Sequence, residues 1–196
     1  PGAIHHAADV LRHGGLVAFP TDTVYGVGAL AFNSEAVERL YPVKGRSAEK
    51  AIAVLIASPD HLPKVAADMS AEVKLLAAAF WPGALTLVVA KRIEVPKAVS
   101  PTGTVGVRVP DHPVTLTLLR AAGPLAVTSA NRSGEPNTTT AGEVLAALGE
   151  RIDLLIDGGR CPGGVASTVI DCTTHPPMVL RAGPITEEML RAVLGE

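Results

Sequence analysis

The stretch Lys44-Gly-Arg-Ser-Ala-Glu-Lys50 places three cations around one glycine, just after a helical pattern. Taken alone, such cations complement the carbonyl end of the helix and stay solvated. Two further features point to a ligand instead. Gly45 permits close approach to the backbone, and Arg108 and Arg181 each stand at the exit of an apolar run, ahead of Pro110 and of Gly183-Pro184. A guanidinium at a strand exit can hold a carboxylate or phosphate through two parallel hydrogen bonds. The chemistry these residue types suit is the binding of anions on one concave, cationic face.

Hydroxyls accompany the cations. The segment Phe19-Pro-Thr-Asp-Thr-Val-Tyr-Gly26 ends an apolar run in a polar turn, and Thr128-Ser-Ala-Asn-Arg-Ser-Gly134 is a second such turn. Ser129 and Asn131 either cap the segment that follows or bind phosphate oxygens or a small amino acid. Tyr25 either packs its ring beneath a substrate or fills core. Asp22 reads as a helix cap or an exposed carboxylate, with a magnesium contact as the alternative. Asp111-His112 reads as surface. The glycine-rich Asp157–Gly164 stretch reads as a mobile loop leading to Ser167-Thr168.

Several sharper chemistries are absent from the sequence. It has no G-x-x-x-x-G-K-[ST], no G-x-G-x-x-G and no G-x-S-x-G, so a Walker A site and a nucleophile elbow are excluded. The six histidines show no H-E-x-x-H and no Cys/His zinc spacing.

The elements that must position these residues alternate along the chain. The pattern predicts helices over 3–13, 33–43, 70–80, 113–122, 140–148 and 186–194. Strands are expected at 16–21, 51–57, 85–90, 104–109, 125–128, 154–156, 168–172 and 178–181. In 104–109 the valines alternate with Gly106 and Arg108, which turns Arg108 away from the valine face. Such mixed alternation over 196 residues argues for one α/β domain with a mixed sheet flanked by helices.

Composition narrows the function classes. At 47% apolar and 18% charged the chain is globular, not disordered. Aromatic residues make up only 3%, which argues against a stacking platform for single-stranded nucleic acid. A net charge of -2 means that anion affinity has to come from local clustering. No apolar run reaches the length of a membrane span, and the start of the chain lacks a secretory layout. Cys161 and Cys172 lack C-x-x-C spacing and read as two reduced thiols, so a cytoplasmic location without membrane attachment is expected.

Across these residues the chain resembles the YrdC-like family of L-threonylcarbamoyladenylate synthases. The resemblance is carried, in order, by Pro20–Gly26, Lys44-Gly-Arg46, Phe80–Leu87, Val107–Pro110, Thr128–Asn131 with Ser133-Gly134, Ser167–Asp171 and Leu180–Gly183. It implies one YrdC-like domain over residues 1–196. It also implies a nucleotidyl transfer in which L-threonine, bicarbonate and ATP give threonylcarbamoyl-AMP, pyrophosphate and water. Magnesium would accompany ATP. The product would pass to a tRNA threonylcarbamoyl transferase for the t6A modification of tRNA.

By the same resemblance Lys44 and Arg46 would serve the reaction. Thr23, Tyr25, Arg108 and Ser167 would hold threonine and bicarbonate, and Arg46, Lys50, Thr104, Ser129, Asn131 and Arg181 would hold ATP. The chain departs from the family pattern at Asp22, where many members have Glu, and at Lys50, where some have Asn. It departs again at Leu55, Val127 and Asn137, where some have His, Thr and Ser. It resembles the short form that lacks a further C-terminal domain. The competing readings are a module that binds double-stranded RNA or tRNA, and carbamoyl transfer as in hydrogenase maturation.

Overall fold

Short polar residues start the helices. The Asn33 side chain accepts from the Ala36 N–H at 3.1 Å to open α2 (Ser34–Lys44), and Ser70 accepts from Val73 at 3.3 Å to open α3 (Ala71–Phe80). Thr140 and Glu143 form a reciprocal capping box at α5 (Ala141–Leu148), and Thr186 caps α6 (Glu187–Leu194). Two more helices, α1 (Gly2–Arg12) and α4 (Pro113–Ala122), complete the set among the described residues. These details come from a computed structural model that describes residues 2–45, 47 and 49–195. No helix among them is long and apolar enough to cross a membrane.

Among the described residues nine strands form one mixed sheet. They are β1 (Val17–Phe19), β2 (Gly26–Leu30), β3 (Ala53–Leu55), β4 (Leu85–Ala90), β5 (Thr104–Arg108), β6 (Leu125–Ser129), β7 (Leu154–Leu155), β8 (Thr168–Asp171) and β9 (Met178–Arg181). Their spatial order is β7-β1-β2-β6-β3-β5-β4-β8-β9. The pairs β1–β7, β3–β5 and β4–β8 are parallel and the others antiparallel. The predicted α/β class with a mixed sheet is therefore the one observed.

Two differences from the predicted elements have physical causes. Gly26-Val-Gly-Ala-Leu30 lacks the β-branched alternation that marks a strand, yet it forms β2 between β1 and β6. Its glycines make room for Val127, because a Cβ at Gly26 would lie 2.7 Å from Val127 Cγ1. Pro59–Lys64 forms a 3-10 turn that the periodicity does not signal.

The sheet is covered unequally. On one face Val54, Val105, Val107, Leu85 and Leu87 join the core built by α2, α3, α5 and α6. On the other, α1 and α4 supply Ala7, Leu11, Leu118 and Leu119 over Phe19, Leu125, Leu55 and Val127. Leu55 and Val127 mark the edge of that second cluster; beyond them the strands face a cleft.

Candidate functional site

The cleft encloses about 310 Å³ on the sheet face that α1 and α4 leave uncovered. Alternation along each strand decides what faces it. Ala53 and Leu55 of β3, Thr86 and Val88 of β4, Gly106 and Arg108 of β5, and Val127 and Ser129 of β6 line it, while Val54, Leu85, Leu87, Val105, Val107 and Ala126 enter the opposite core; Thr128 also borders the cleft. The floor mixes apolar side chains with the hydroxyls of Thr86 and Ser129, and the charges are those of Arg108 and Arg181.

One end is organised by the turn after β1. Thr21 Oγ1 donates to Val24 O at 2.7 Å and accepts from the N–H groups of Thr23 and Val24 at 3.1 and 3.2 Å. It also lies 2.9 Å from Thr23 Oγ1, which accepts from Arg108 Nη1 at 3.0 Å. Arg108 further donates from Nε to Gly83 O at 2.8 Å and from Nη2 to Asp22 Oδ1. Among the described residues, three of its five N–H donors are thereby engaged and two remain for a ligand. Burial pulls the guanidinium below its usual value and the neighbouring Asp22 carboxylate opposes that shift. It remains charged at neutral pH.

The other end is built where β8 begins. Ser167 Oγ lies 2.8 Å from Thr86 Oγ1, and Arg181 donates to Ser167 O from Nε at 3.0 Å and from Nη2 at 2.8 Å. The Arg181 Nη2 also reaches Ser167 Oγ at 3.2 Å. Gly183 packs flat against this segment: a Cβ there would stand 2.7 Å from Ala166 O and from the Ser167 carbonyl carbon. Thr86, a cleft hydroxyl bonded to Ser167, was not singled out by the sequence; its signal is its place on the polar-facing side of β4.

The structure sorts the predicted residues into three sets. Thr23, Tyr25, Arg108, Ser167, Ser129 and Arg181 line the cleft. Lys44, Lys50, Thr104 and Asn131 do not line it. Lys44 is the last residue of α2 and is buried; its Nζ donates to Ser129 O, to Ser129 Oγ at 3.2 Å and to Asn131 Oδ1 at 3.4 Å. Asn131 is buried too and donates to Arg132 O and Glu135 O at 3.1 and 2.6 Å, so its amide holds the turn together. Thr104 shares the Gly106–Arg108 face but lies beyond the cleft wall, and Lys50 is exposed. Arg46 lies outside the described residues.

Three further expectations change, for Asp22, for the Asp157–Gly164 loop and for His112. Asp22 neither caps a helix nor faces solvent, because its carboxylate pairs with Arg108, at side-chain exposures of 13% and 7%. Tyr25 has no exposed surface; its hydroxyl donates to Gly159 O at 2.8 Å and accepts from Gly158 N at 3.3 Å. That bond, together with Gly164 N–H to Thr23 O at 2.7 Å, ties the Asp157–Gly164 loop to the turn after β1. His112 is half-buried instead of exposed, and its Nδ1 is enclosed without a hydrogen-bond partner among the described residues. Cys161 and Cys172 are buried free thiols. Among the described residues no group of three His, Cys, Asp or Glu side chains is placed to hold a metal.

Comparison with known proteins identifies the family of the chain. The telomere recombination family, which groups Sua5, YciO and YrdC, matches residues 9–183. Pyrococcus abyssi Sua5, in a crystal structure complexed with L-threonine, superposes with a TM-score of 0.96 at 44% identity, covering 98% of this chain and 57% of that one. Bacillus subtilis threonylcarbamoyl-AMP synthase is 43% identical over 198 residues, covering 98% of this chain and 56% of the relative. The crystal structure of Escherichia coli YciO matches with a TM-score of 0.83 at 28% identity, over 92% of this chain and 89% of that one. This chain thus spans a little over half the length of the first two. Sequence and fold agree over almost every element that shapes the cleft, and the chain belongs to the Sua5/YciO/YrdC family.

Proposed function

We propose that this chain joins L-threonine, bicarbonate and ATP into threonylcarbamoyl-AMP, releasing pyrophosphate and water. The observation that carries the reading is the arrangement of Arg108. It is held on three sides by Gly83, Thr23 and Asp22, keeps two donors for a ligand, and faces a cleft that a second guanidinium, Arg181, also lines. The bidentate donor suits the carboxylate of an amino acid. The P. abyssi relative complexed with L-threonine makes threonine the amino acid of choice.

In this reading Arg108, Thr23 and Ser167 orient threonine, while Tyr25 acts from behind by holding the loop. Ser129 and Arg181 contact the nucleotide, assisted by Arg46 and Lys50. Lys44 and Asn131 fix the Ser129 turn, and Thr104 extends the nucleotide side. The threonine amine adds to bicarbonate to give a carbamate and water. A carbamate oxygen then attacks the α-phosphorus, and pyrophosphate leaves. All these species are anionic, so the residues work by positioning and by neutralising charge. In this reading magnesium accompanies the triphosphate as part of the substrate.

The product, a mixed anhydride, requires a downstream transferase that passes the threonylcarbamoyl group to tRNA, and a cytoplasmic setting fits that role. The synthase names of the relatives favour this reading over a duplex-RNA module. The test is pyrophosphate release from ATP with threonine and bicarbonate supplied singly and together. Release that requires both supports the synthase; ATP left intact in every combination refutes it.

A further inference from the structure

Four cleft residues follow one another across neighbouring strands. The order β5-β4-β8-β9 places Arg108 on β5, Thr86 on β4, Ser167 at the entry to β8 and Arg181 on β9. Val107 and Leu87 are register partners in the antiparallel β5–β4 pair. Arg108 and Thr86, one step further along it, are therefore cross-strand neighbours on the cleft face. Thr86 Oγ1 lies 2.8 Å from Ser167 Oγ, to which Arg181 Nη2 donates at 3.2 Å. Gly106 fixes the direction of the threonine, because a Cβ there would stand 3.0 Å from Thr86 Cγ2. The methyl takes that space and the hydroxyl faces Ser167, with χ1 stiffened by the β-branch.

Holding the strands together does not require this hydroxyl pair. The β4–β8 ladder runs from Leu85 to Val88 on β4, and Thr168 N–H donates to Ala84 O at 3.0 Å. A valine has the shape of Thr86 and brings no polar group to satisfy. Thr86 and Ser167 are nearly buried, at 4% and 5% exposure, yet both border the cleft. What the Thr86 hydroxyl adds is a direction for the neighbouring proton. A serine oxygen has one proton and two lone pairs. When Thr86 donates, Thr86 and Arg181 fill both lone pairs of Ser167 Oγ, and its own proton is left for a ligand. Without the Thr86 hydroxyl one lone pair is unfilled, and the serine rotor loses the partner that sets its direction.

Building on the synthase reading, we propose that Thr86 is a positioning residue that turns the Ser167 hydroxyl proton toward the carbamate formed on threonine. The charged oxygens of a carbamate, and of the bicarbonate it comes from, accept hydrogen bonds and donate none. They therefore select the arrangement in which Ser167 donates. In that reading Arg108 holds the threonine carboxylate and Arg181 contacts the nucleotide. A carbamate that joins the two substrates belongs on the residues between them in the strand order, and these are Thr86 and Ser167. One carbamate oxygen accepts from Ser167, which leaves the other to attack the α-phosphorus. Thr86 acts through Ser167 alone.

The test is the kinetics of pyrophosphate release by the intact chain and by Thr86→Val, Thr86→Ser and Ser167→Ala. Thr86→Val keeps the shape and removes the hydroxyl. It should raise the apparent KM for bicarbonate about tenfold, as expected when a hydrogen bond to a charged group is weakened, with the KM for ATP unchanged. Thr86→Ser should restore most of the loss, because the hydroxyl returns. Thr86→Val added to Ser167→Ala should change the bicarbonate KM by less than about twofold more, since no serine proton is then left to direct. If Thr86→Val does not fold, Thr86→Ala carries the same expectations. An undiminished effect in the Ser167→Ala background, an equal rise in the KM for ATP, or normal bicarbonate kinetics without the Thr86 hydroxyl overturns the proposal and leaves the synthase reading standing. Absence of release in the unsubstituted chain overturns that reading, and the proposal with it.

Discussion

Replacing Asp22 with alanine tests whether the Arg108–Asp22 pair is the electrostatic keystone of the cleft. Both side chains are nearly buried, at 7% and 13% exposure, so solvent screens the pair weakly. Asp22→Ala leaves the Arg108 guanidinium with Gly83 O and Thr23 Oγ1 as its neutral acceptors among the described residues. Orphaning one member of a buried pair costs about 3–5 kcal/mol. The two remaining bonds and the open side of the cleft place this case near the lower end, at about 3 kcal/mol. For a chain of this length that corresponds to a fall in Tm of roughly 6–12 °C. Urea unfolding at a constant m-value reads the loss, and the double variant Asp22→Ala/Arg108→Met should recover part of it, because no charge is then left uncompensated. A loss below about 1 kcal/mol, typical of exposed pairs, would mean that water already solvates Arg108 and would refute the argument.

Three further outcomes are expected. Arg108→Ala and Arg46→Ala should each lower turnover at least tenfold without unfolding the chain, since a charge-assisted contact to a reacting anion is worth on the order of 1.5–3 kcal/mol; near-normal pyrophosphate release would remove that residue from the site. Gly183→Ala should destabilise by about 1–3 kcal/mol, because the new methyl meets the Ala166–Ser167 backbone at 2.7 Å and backbone cannot swing aside. An unchanged Tm would mean that the segment adjusts freely. The Cys172 thiol is pushed up to about 12, chiefly by burial. A raised folded value means that its contribution to stability is intact below an unfolded pKa of about 8.5 and is lost as pH rises toward 12. Urea stability should therefore fall above about pH 8.5 with a steeper slope than in Cys172→Ala. Equal slopes would show the thiol to be solvated.

Local chemistry settled much of this protein in advance. Caps at Asn33, Ser70, Thr140 and Thr186 mark helix starts because their side chains satisfy amides within three residues, an interaction the sequence states directly. The alternation of Val105, Val107 and Val109 against Arg108 foretold which face Arg108 would take, since strand side chains alternate by geometry alone. Strand β2 was hidden because its glycines answer to Val127 on another strand, about 100 residues away. The same distance in sequence hid the pairing of Asp22 with Arg108 and of Thr86 with Ser167. It also hid the insertion of Lys44 beneath the Ser129 turn. Residue types disclosed that cations and hydroxyls were present; burial and long-range hydrogen bonding decided which of them face a ligand and which hold the others in place. A charge's role depends on its partners and on its distance from water, and both are properties of the folded chain.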